Sequence, residues 1–382
     1  MLQEIPTQVS ELCSSVVEPT YVYDLSKLRR SASDLKDAFK GMGALVLFAT
    51  MANPRSEILE TLSGLGVGAC VNSVAHLRAA LRAGMKRDRI QFTSSGLSMD
   101  DFEEIASLKI QCNVDSARQA AMLLAVSDGG TCGVRVNTRL LLDEALSAHD
   151  RLGLDPIDIP ALNSLIETRS GRLNGTHIYV GTNFHQHEEM LPALDGFFGV
   201  AATVPGLDYV NVGGGIGVDY TRLSQEFDVG GYAQAIGQRL DTLRAKLGRH
   251  VQLIIEPGRA MVASSGYFTC RVTDIKKLRG LTFVGVNASV AQFPRPWHHP
   301  ETPHAVFVAR STGGLLTGVD EDSMDVVIAG RTTYSKDVLA TARLPSDLAV
   351  GDSLIFVDAG AYCDSMASRF LGQPETASVF LN

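Results

Sequence analysis

Cysteine is scarce in this sequence and is never arranged in pairs. The 382 residues contain six cysteines, and none has another cysteine three residues further along the chain. They are Cys13, Cys70, Cys112, Cys132, Cys270 and Cys363. Such scatter argues against a disulfide framework and a thiolate zinc site, and it is typical of reduced thiols in a cytoplasm.

Basic clusters and long apolar runs are also missing. The formal net charge is -8 and no segment is dense in lysine and arginine, so the chain lacks a surface for the phosphates of a nucleic acid. No apolar run approaches the roughly 20 residues of a membrane span. The N-terminal MLQEIPTQVSELCSS lacks the basic segment and apolar core of a signal peptide. We therefore expect a soluble cytoplasmic protein without a nucleic-acid or membrane partner.

Apolar segments alternate with amphipathic segments between residues 21 and 260. The apolar segments are β-rich and show no polar alternation, which is typical of parallel strands buried on both faces. The intervening segments repeat apolar residues at helical spacing. Eight apolar segments follow one another: ALVLFAT, VGACVNS, DRIQFTS, IQCNVD, CGVRVNT, THIYVGT, YVNVGGG and VQLIIEPG. They predict an α/β fold, a TIM-type (β/α)8 barrel over residues 26–262, whose ligand groups lie at the carboxyl ends of the strands.

The remaining sequence has a different texture. GYFTCRVTDIKK, GLTFVGVN, HAVFVARS, DVVIAG and SLIFVDAGAY are β-rich, with turn residues between them and little helical periodicity. They predict a second, mainly antiparallel β domain. Because TYVYDL near the N-terminus could pair there, we assign residues 1–25 together with 263–382 to this domain.

Three glycines end the strand in VNVGGGIGVDY. Glycine lets backbone N–H groups approach a phosphate closely. Gly213, Gly214 and Gly215 are therefore candidates for a phosphate-binding turn. The alternative is a tight turn without a ligand.

Two charged residues follow the next strand, in IIEPGRAMVAS. The carboxylate of Glu256 is costly to bury unless it meets a cation or a protonated nitrogen. The planar fork of Arg259 suits a phosphate or a carboxylate. The alternative is that these two side chains simply pair with each other.

Histidines and hydroxyls gather in THIYVGTNFHQHEE. Strand alternation places His177 and Tyr179 on one side, and Thr182, His185 and His187 follow. Without a thiolate or an HExxH pattern the histidine spacing is a weak metal signal. We expect no metal here, and a solvated loop that contacts a polar substrate.

A tyrosine follows the last of the strands quoted above. In SLIFVDAGAY the Gly-Ala turn would expose the hydroxyl of Tyr362 to a ligand. A packed tyrosine is the alternative.

Six segments resemble, in this order, the fold-type III pyridoxal-phosphate-dependent decarboxylases. They are YVYDLSKL, FATMANP, THIYVGT, NVGGGIG, EPGR and GDSLIFVDAGAY. This is the diaminopimelate/ornithine decarboxylase family, with an alanine racemase-type barrel. The chain looks most similar to members of siderophore and antibiotic pathways. The resemblance implies a homodimer with active sites at the interface and a small amino-acid-like substrate.

Carried over residue by residue, the resemblance implies a largely intact cofactor pocket. Glu256 would keep the pyridine nitrogen of pyridoxal phosphate protonated, which makes the ring an electron sink. Tyr179 falls where a histidine often stacks on the ring, and Arg135 in GVRVNT matches an arginine close to the ligand. The other implied cofactor-binding residues are Gly213, Gly214, Gly215, Arg259, Tyr362 and Thr182.

The catalytic groups of the family are replaced. The family's YAVKAN motif carries the lysine that forms the internal aldimine, whereas FATMANP has Met51 there, and a thioether cannot form an imine. Thr333 in GRTTYSKD takes the place of the family's catalytic cysteine and is a poor proton donor. Asp337 of that motif remains, and we expect Asp337 and Tyr334 to contact the substrate.

The surroundings of Met51 have also lost charged groups that the family carries. Where relatives have a motif like FDVVSGGEL, this chain has GACVNSVAHL, with Cys70 and His76 at the acidic positions. A buried carboxylate stripped of its cation would be destabilising by roughly 3–5 kcal/mol. Natural loss of the lysine should therefore be accompanied by loss of these carboxylates, whereas an engineered change would leave them. The pattern favours natural replacement.

Three functional hypotheses stay open. The first is a lyase on the decarboxylase scaffold that acts on a small carboxylated amino-acid-like substrate, with pyridoxal phosphate bound noncovalently or with no cofactor. The second is a non-catalytic binding or regulatory homologue. The third is an engineered Lys→Met variant of an ordinary decarboxylase. For the first, the candidate positions are Met51, Cys70, His76, His177, Tyr179, Thr333 from the partner subunit, and Arg135 for a substrate carboxylate.

Overall fold

The structure is a computed structural model that describes residues 5–127, 129–222, 226–310, 315–316 and 322–382. The chain divides into two compact units. One comprises Ser31–Val218 and Glu226–Met261, and the other Met1–Arg30, Asp219–Gln225 and Val262–Asn382. The first contains the barrel, and the second contains a large sheet.

The chain begins with α1 (Thr7–Ser15), β1 (Thr20–Asp24) and α2 (Leu25–Ala38). In α1, Val9 and Cys13 are buried, one helical turn apart. The carboxylate of Asp24 accepts a hydrogen bond from the N–H of Lys27 at 2.8 Å, which satisfies a free donor in the first turn of α2.

Eight parallel strands close into a barrel in chain order. They are β2 (Leu45–Ala49), β3 (Gly68–Val71), β4 (Ile90–Thr93), β5 (Gln111–Val114), β6 (Thr131–Val136), β7 (Arg172–Ile178), β8 (Tyr209–Asn211) and β9 (Gln252–Ile255). Closure is made where β9 pairs with β2, with Ile254 opposite Leu45. Each strand overlaps one of the eight apolar segments, so the predicted TIM-type barrel is confirmed.

Helices connect these strands. They are α3 (Ser56–Gly64), α4 (Val74–Arg82), α5 (Met99–Ser107), α6 (Ala117–Ser127), α7 (Thr138–Leu141), α8 (Ile159–Glu167), α9 (Leu191–Ala201) and α10 (Val229–Leu247). Ser98 and Asp101 form a capping box that starts α5. Gly248, at φ 65°, ends α10 in the left-handed conformation. None of the described helices is both long enough and apolar enough to cross a bilayer.

After α11 (Arg259–Val262) the chain forms most of the second unit, which includes α12 (Arg295–His298). Its later strands are β10 (Gly266–Leu278), β11 (Leu281–Val286), β12 (Val306–Ala309), β13 (Leu315–Leu316), β14 (Ser323–Ala329), β15 (Val338–Pro345), β16 (Ser353–Phe356) and β17 (Ala377–Leu381). The order across the sheet is β13-β12-β16-β10-β11-β14-β15. Strand β1 pairs antiparallel with β10 and parallel with β17, and β11 runs parallel to β14. The mainly antiparallel domain is confirmed, and residues 20–24 of TYVYDL form β1 in its sheet.

One tyrosine ring fills much of the barrel interior. The hydroxyl of Tyr209 donates a hydrogen bond to Oδ1 of Asn113 at 2.5 Å. A side chain at Gly133 on β6 or at Gly175 on β7 would overlap this tyrosine. Strands β6 and β7 therefore carry glycine there because the ring occupies the space that a Cβ would need.

Candidate active site

Glu256 is a buried carboxylate just beyond the end of β9, exposed to only 7%. Its Oε2 lies 3.2 Å from Nε2 of His177, and its Oε1 accepts a hydrogen bond from Nδ2 of Asn211 at 2.6 Å. Burial raises the pKa of the carboxyl. The contacts with His177 and then Asn211 lower the pKa by more than burial raises it, so the pKa lies below the ordinary value. The close partner of this carboxylate oxygen is thus His177, not Arg259 as in the alternative considered above.

Asn211 joins this carboxylate to two other parts of the barrel. Its Oδ1 accepts from the N–H of Gly213 at 2.9 Å, and its Nδ2 also donates to Oε1 of Gln91 at 2.7 Å. The same oxygen of Gln91 accepts from Nδ2 of Asn113 at 3.2 Å. Each amide is therefore held in one orientation, and its N–H donors point toward the acceptors that need them.

Met51 and Cys70 lie together beside this network. Met51 packs against a cluster made of Leu47, Cys70, Tyr209 and Ile254, and its sulfur accepts from the Thr50 hydroxyl at 3.7 Å. Burial first, and then the charge of Glu256, raise the pKa of the Cys70 thiol well above its usual value. The position that the resemblance assigns to lysine thus holds an apolar side chain beside a neutral thiol.

The lysines of the barrel unit are at its opposite end. The unit contains five of them, and each lies in the second half of a helix or between a helix and the following strand. They are Lys36, Lys40, Lys86, Lys109 and Lys246. Such positions are at the amino ends of the strands, so no lysine of the described barrel unit reaches the carboxyl ends. The barrel's own residues do not fit a lysine-linked cofactor.

The glycine turn does fit a phosphate group. Gly213 and Gly215 have φ of 70° and 98°, and a side chain at any of the three glycines would press on a backbone carbonyl. The N–H groups of Gly214 and Gly215 donate to no other described residue. Adjacent unused N–H groups form an anion-binding concavity.

Arg135 lies at the same end of the barrel, above the ring of Tyr179. Its guanidinium carbon is 5.7 Å from the ring centroid. Tyr179 is 39% exposed, and its hydroxyl shares a hydrogen bond of 2.7 Å with that of Thr182. Within the described residues Arg135 makes no side-chain hydrogen bond or ion pair. Burial lowers its pKa, against the charge of Glu256. A largely buried guanidinium without an anion is a ready partner for a carboxylate.

The histidines of the following loop do not converge. Nε2 of His185 lies 3.3 Å from Nδ2 of Asn183. His187 sits edge-on to Phe227, with its Nδ1 3.5 Å from the Glu188 carboxylate. No group of three or more His, Cys, Asp or Glu side chains in the described part of the chain is placed to hold a metal ion.

Two further candidates lie beyond strand ends. His76 is in the first turn of α4, where its Nδ1 lies 3.0 Å from Oδ1 of Asn72 and burial lowers its pKa. Arg259 is 8% exposed at the start of α11. The elements that carry these two residues follow β3 and β9.

In the second unit, Tyr362 belongs to a turn that is clamped at its other end. Tyr362 and Asp358 have φ of 55° and 58°. The Asp358 carboxylate accepts two hydrogen bonds from the Arg222 guanidinium, at 2.9 and 3.2 Å. This bidentate pair ties the DAGAY turn to the segment that follows GGGIGVDY.

Asp337 is engaged within its own unit. It is 3% exposed. Its Oδ1 accepts from the N–H of Val290 at 2.8 Å, and its Oδ2 accepts from the N–H and hydroxyl of Thr332 at 3.0 and 2.5 Å. These contacts favour a role in ordering the loop over the predicted contact with substrate. Thr333 in this loop is exposed, and the ring of Tyr334 packs edge-on against Phe370.

Sequence reasoning missed the amides that organise the site. Gln91, Asn113 and Asn211 are buried polar residues within strands that are almost wholly buried. A polar side chain within a buried strand must find a hydrogen-bond partner, so such residues carried a usable signal. The sequence could not reveal which partners they find.

A family model matches the barrel part of the chain. The model described as "Pyridoxal-dependent decarboxylase, pyridoxal binding domain" matches residues 25–263. That range includes all eight barrel strands, and the residues that surround Glu256.

Curated relatives and solved structures agree with it. Diaminopimelate decarboxylase of Helicobacter pylori is 29% identical over 97% of this chain and 92% of the relative. That of Methanothermobacter thermautotrophicus is 27% identical over 97% of this chain and 88% of the relative. The structure of the H. pylori enzyme complexed with L-lysine superimposes with a TM-score of 0.87 at 26% identity, covering 98% of this chain and 94% of that one.

Proposed function

Since this chain belongs to the pyridoxal-dependent decarboxylase family, we propose that it acts on a small carboxylated, amino-acid-like substrate without a lysine-linked cofactor. One observation carries the proposal. Arg135 offers a guanidinium that no described residue pairs with, beside the buried Glu256–His177 pair, at the end of the barrel that no lysine of the described barrel unit reaches. An anion-binding group survives there although the covalent anchor does not.

The substrate class is supported by charge. A guanidinium fork binds a carboxylate through two parallel hydrogen bonds, and Arg135 is held over Tyr179 with those donors unused by described residues. The H. pylori diaminopimelate decarboxylase mentioned above is complexed with L-lysine, which is a small amino acid with a carboxylate. A role in specialised metabolism of the siderophore or antibiotic type belongs to the same proposal.

Pyridoxal phosphate would bind noncovalently if it binds at all. The N–H groups of Gly214 and Gly215 would hold its phosphate, and no group on Met51 would link it to the chain. When bound, the cofactor supplies an electron sink for the carbanion that loss of CO2 leaves behind. A substrate that contains its own electron sink would need no cofactor.

Proton transfer falls to residues around Glu256. Loss of CO2 leaves an electron pair on carbon, and a proton must replace the departing group. The neutral thiol of Cys70 has a proton to give to that carbon and would regain one from water afterwards, while His177 holds the Glu256 carboxylate in place beside it. In a homodimer, which we also propose, the exposed hydroxyl of Thr333 from the partner subunit is a further candidate.

Six free, buried cysteines support a cytoplasmic location.

The decisive experiment pairs a binding measurement with turnover. Purified protein is mixed with pyridoxal phosphate, treated with borohydride and weighed by mass spectrometry, and CO2 release is measured from a panel of amino acids. We expect no cofactor mass on the polypeptide, and CO2 release that is lost in His177→Gln but kept in His149→Gln, a change at an exposed histidine. A reduced adduct on the chain would overturn the proposal.

Restoring the lysine separates the remaining hypotheses. Met51→Lys should not by itself restore ordinary decarboxylation of diaminopimelate, because the surroundings of Met51 are apolar. Full activity after this one change would favour an engineered variant. Amino-acid binding with no CO2 release from any substrate, in wild type or variant, would favour a non-catalytic homologue.

A further inference from the structure

Asp115 lies just beyond β5, on the strand next to that of Arg135. Asn113 faces the barrel interior, where it contacts Tyr209 and Thr93. Side chains two residues apart on a strand face the same way, so Asp115 is directed to the interior side of the mouth. Because Asn113 is paired with Gly133, the same step along β6 brings Arg135 beside Asp115.

These two opposite charges are near each other yet unpaired. The charge of Asp115 acts on the Arg135 guanidinium, but no ion pair joins them in the described structure. Oδ2 of Asp115 accepts a hydrogen bond from the Ser95 hydroxyl, and its Oδ1 accepts none from described residues. Arg135 rests on the Tyr179 ring instead. A carboxylate oxygen and a guanidinium fork therefore both remain open at one end of the barrel.

We propose that Asp115 and Arg135 together form a subsite for the zwitterion of a free α-amino acid, with the ammonium group on Asp115 and the carboxylate on Arg135. This inference rests on the proposed function and names how its substrate is held. Without a lysine-linked cofactor the chain offers no covalent bond for the amino group, which stays a cation and needs an anionic partner.

Glu256 does not compete for this role. It and Asp115 are the two carboxylates whose charges act on Arg135, and both oxygens of Glu256 are already taken by His177 and Asn211. Asp115 is the carboxylate of this pair that retains an open oxygen. A hydrogen bond between ions is about twice as strong as a neutral one, so the subsite should discriminate strongly against ligands that lack either charge.

The test uses the full chain and matched ligands. Calorimetry first ranks a panel of L-α-amino acids that includes L-lysine and diaminopimelate. The tightest is then compared with its analogue without the α-ammonium and its analogue without the carboxylate, which for L-lysine are 6-aminohexanoate and cadaverine. Wild type should bind the amino acid about tenfold or more tightly than either analogue, as expected from one charged hydrogen bond.

Variants then assign each charge to a residue. Asp115→Asn should weaken binding of the amino acid about tenfold. It should leave the binding affinity of the analogue without the ammonium unchanged. Arg135→Gln should also weaken binding of the amino acid about tenfold. It should leave the binding affinity of the analogue without the carboxylate unchanged. Asp100→Asn, at an exposed position on α5, is the matched control. If Asp115→Asn fails to fold, Ser95→Ala, which removes the hydrogen bond that orients the same carboxylate, should produce a smaller loss of the same selectivity.

The outcomes keep this inference apart from the proposed function. No binding of any α-amino acid, or an equal loss for amino acid and deaminated analogue in Asp115→Asn, would overturn the subsite. Selective binding without CO2 release would support the subsite and contradict the decarboxylation. CO2 release with selectivity unchanged in Asp115→Asn would do the reverse.

Discussion

Nε2 of His177 lies 3.2 Å from Oε2 of Glu256 inside the barrel, while Nδ1 of the same ring has no partner among the described residues. Both side chains are almost wholly buried. Breaking a buried pair by removing one partner leaves the other charge uncompensated. The stability of the barrel should therefore depend on whether Glu256 is ionised.

Stability at acid pH should report on Glu256. Its pKa is depressed in the folded protein, so its contribution is fully present above the unfolded value, near 4.3, and is lost as pH falls through the folded value. Glu256→Gln should unfold about 3–5 kcal/mol more easily at neutral pH, and the gap to wild type should shrink below pH about 4. Urea unfolding of both proteins, with the exposed Glu103→Gln as control, measures it. An equal gap at both pH values would contradict this assignment.

Asn211→Asp should destabilise the site by placing a second carboxylate next to Glu256. The change removes a donor that lies 2.6 Å from Glu256 and adds like charge in a buried place, at a cost of about 3 kcal/mol. Asn163→Asp is a matched control, because Asn163 donates to Glu167 at 2.9 Å on an exposed helix face. The control should lose less than about 0.5 kcal/mol. Thermal unfolding distinguishes the two, and similar losses would show that burial at Asn211 matters little.

Gly175→Ala should be strongly destabilising, because its Cβ would overlap the Tyr209 ring. Overpacking of this kind costs about 1–3 kcal/mol or more. Gly199→Ala, in α9 with open space around a Cβ, should instead be stabilising by about 0.5–1 kcal/mol. Chemical denaturation of the two variants gives opposite signs if the ring fills the barrel as described.

Asp337→Asn should act on folding rather than on ligand affinity. The carboxylate accepts from Val290 and Thr332 through both oxygens, and an amide cannot accept at both places, so about 1–3 kcal/mol should be lost. Asp325→Asn, whose parent side chain is 91% exposed, is the control. A large change in KM with unaltered unfolding would instead support the predicted contact of Asp337 with the substrate.

The barrel strands were predictable one by one because each is an apolar segment buried on both faces. Strands β15 and β17 were missed for the converse reason. In β15 (VLATARLP) polar and charged residues interrupt the apolar ones, and β17 lies only partly buried. Helix α1 was missed since its nine residues precede the alternating apolar and amphipathic segments that reveal the barrel helices.

Within the site, Glu256 and the three glycines stood out from the sequence, since a charge after a buried strand and a glycine run are unusual in themselves. The partners of Glu256 did not stand out. Asn211 and His177 reach it from β8 and β7, and Asp115 comes near Arg135 only through the register of β5 against β6. Register between strands far apart in the chain is not encoded in any one of them.

Local patterns, then, were enough for the eight strands and the glycine turn, because burial and side-chain chemistry are properties of short segments, whereas the thioether in place of an amine was seen only through the resemblance to a family. Closure of the barrel decided the rest. It placed Glu256 between His177 and Asn211, left Arg135 and Asp115 open, and set all five barrel lysines at the far end. The physical reason is that electrostatic interactions depend on distances in space, which are set when all eight strands are in register.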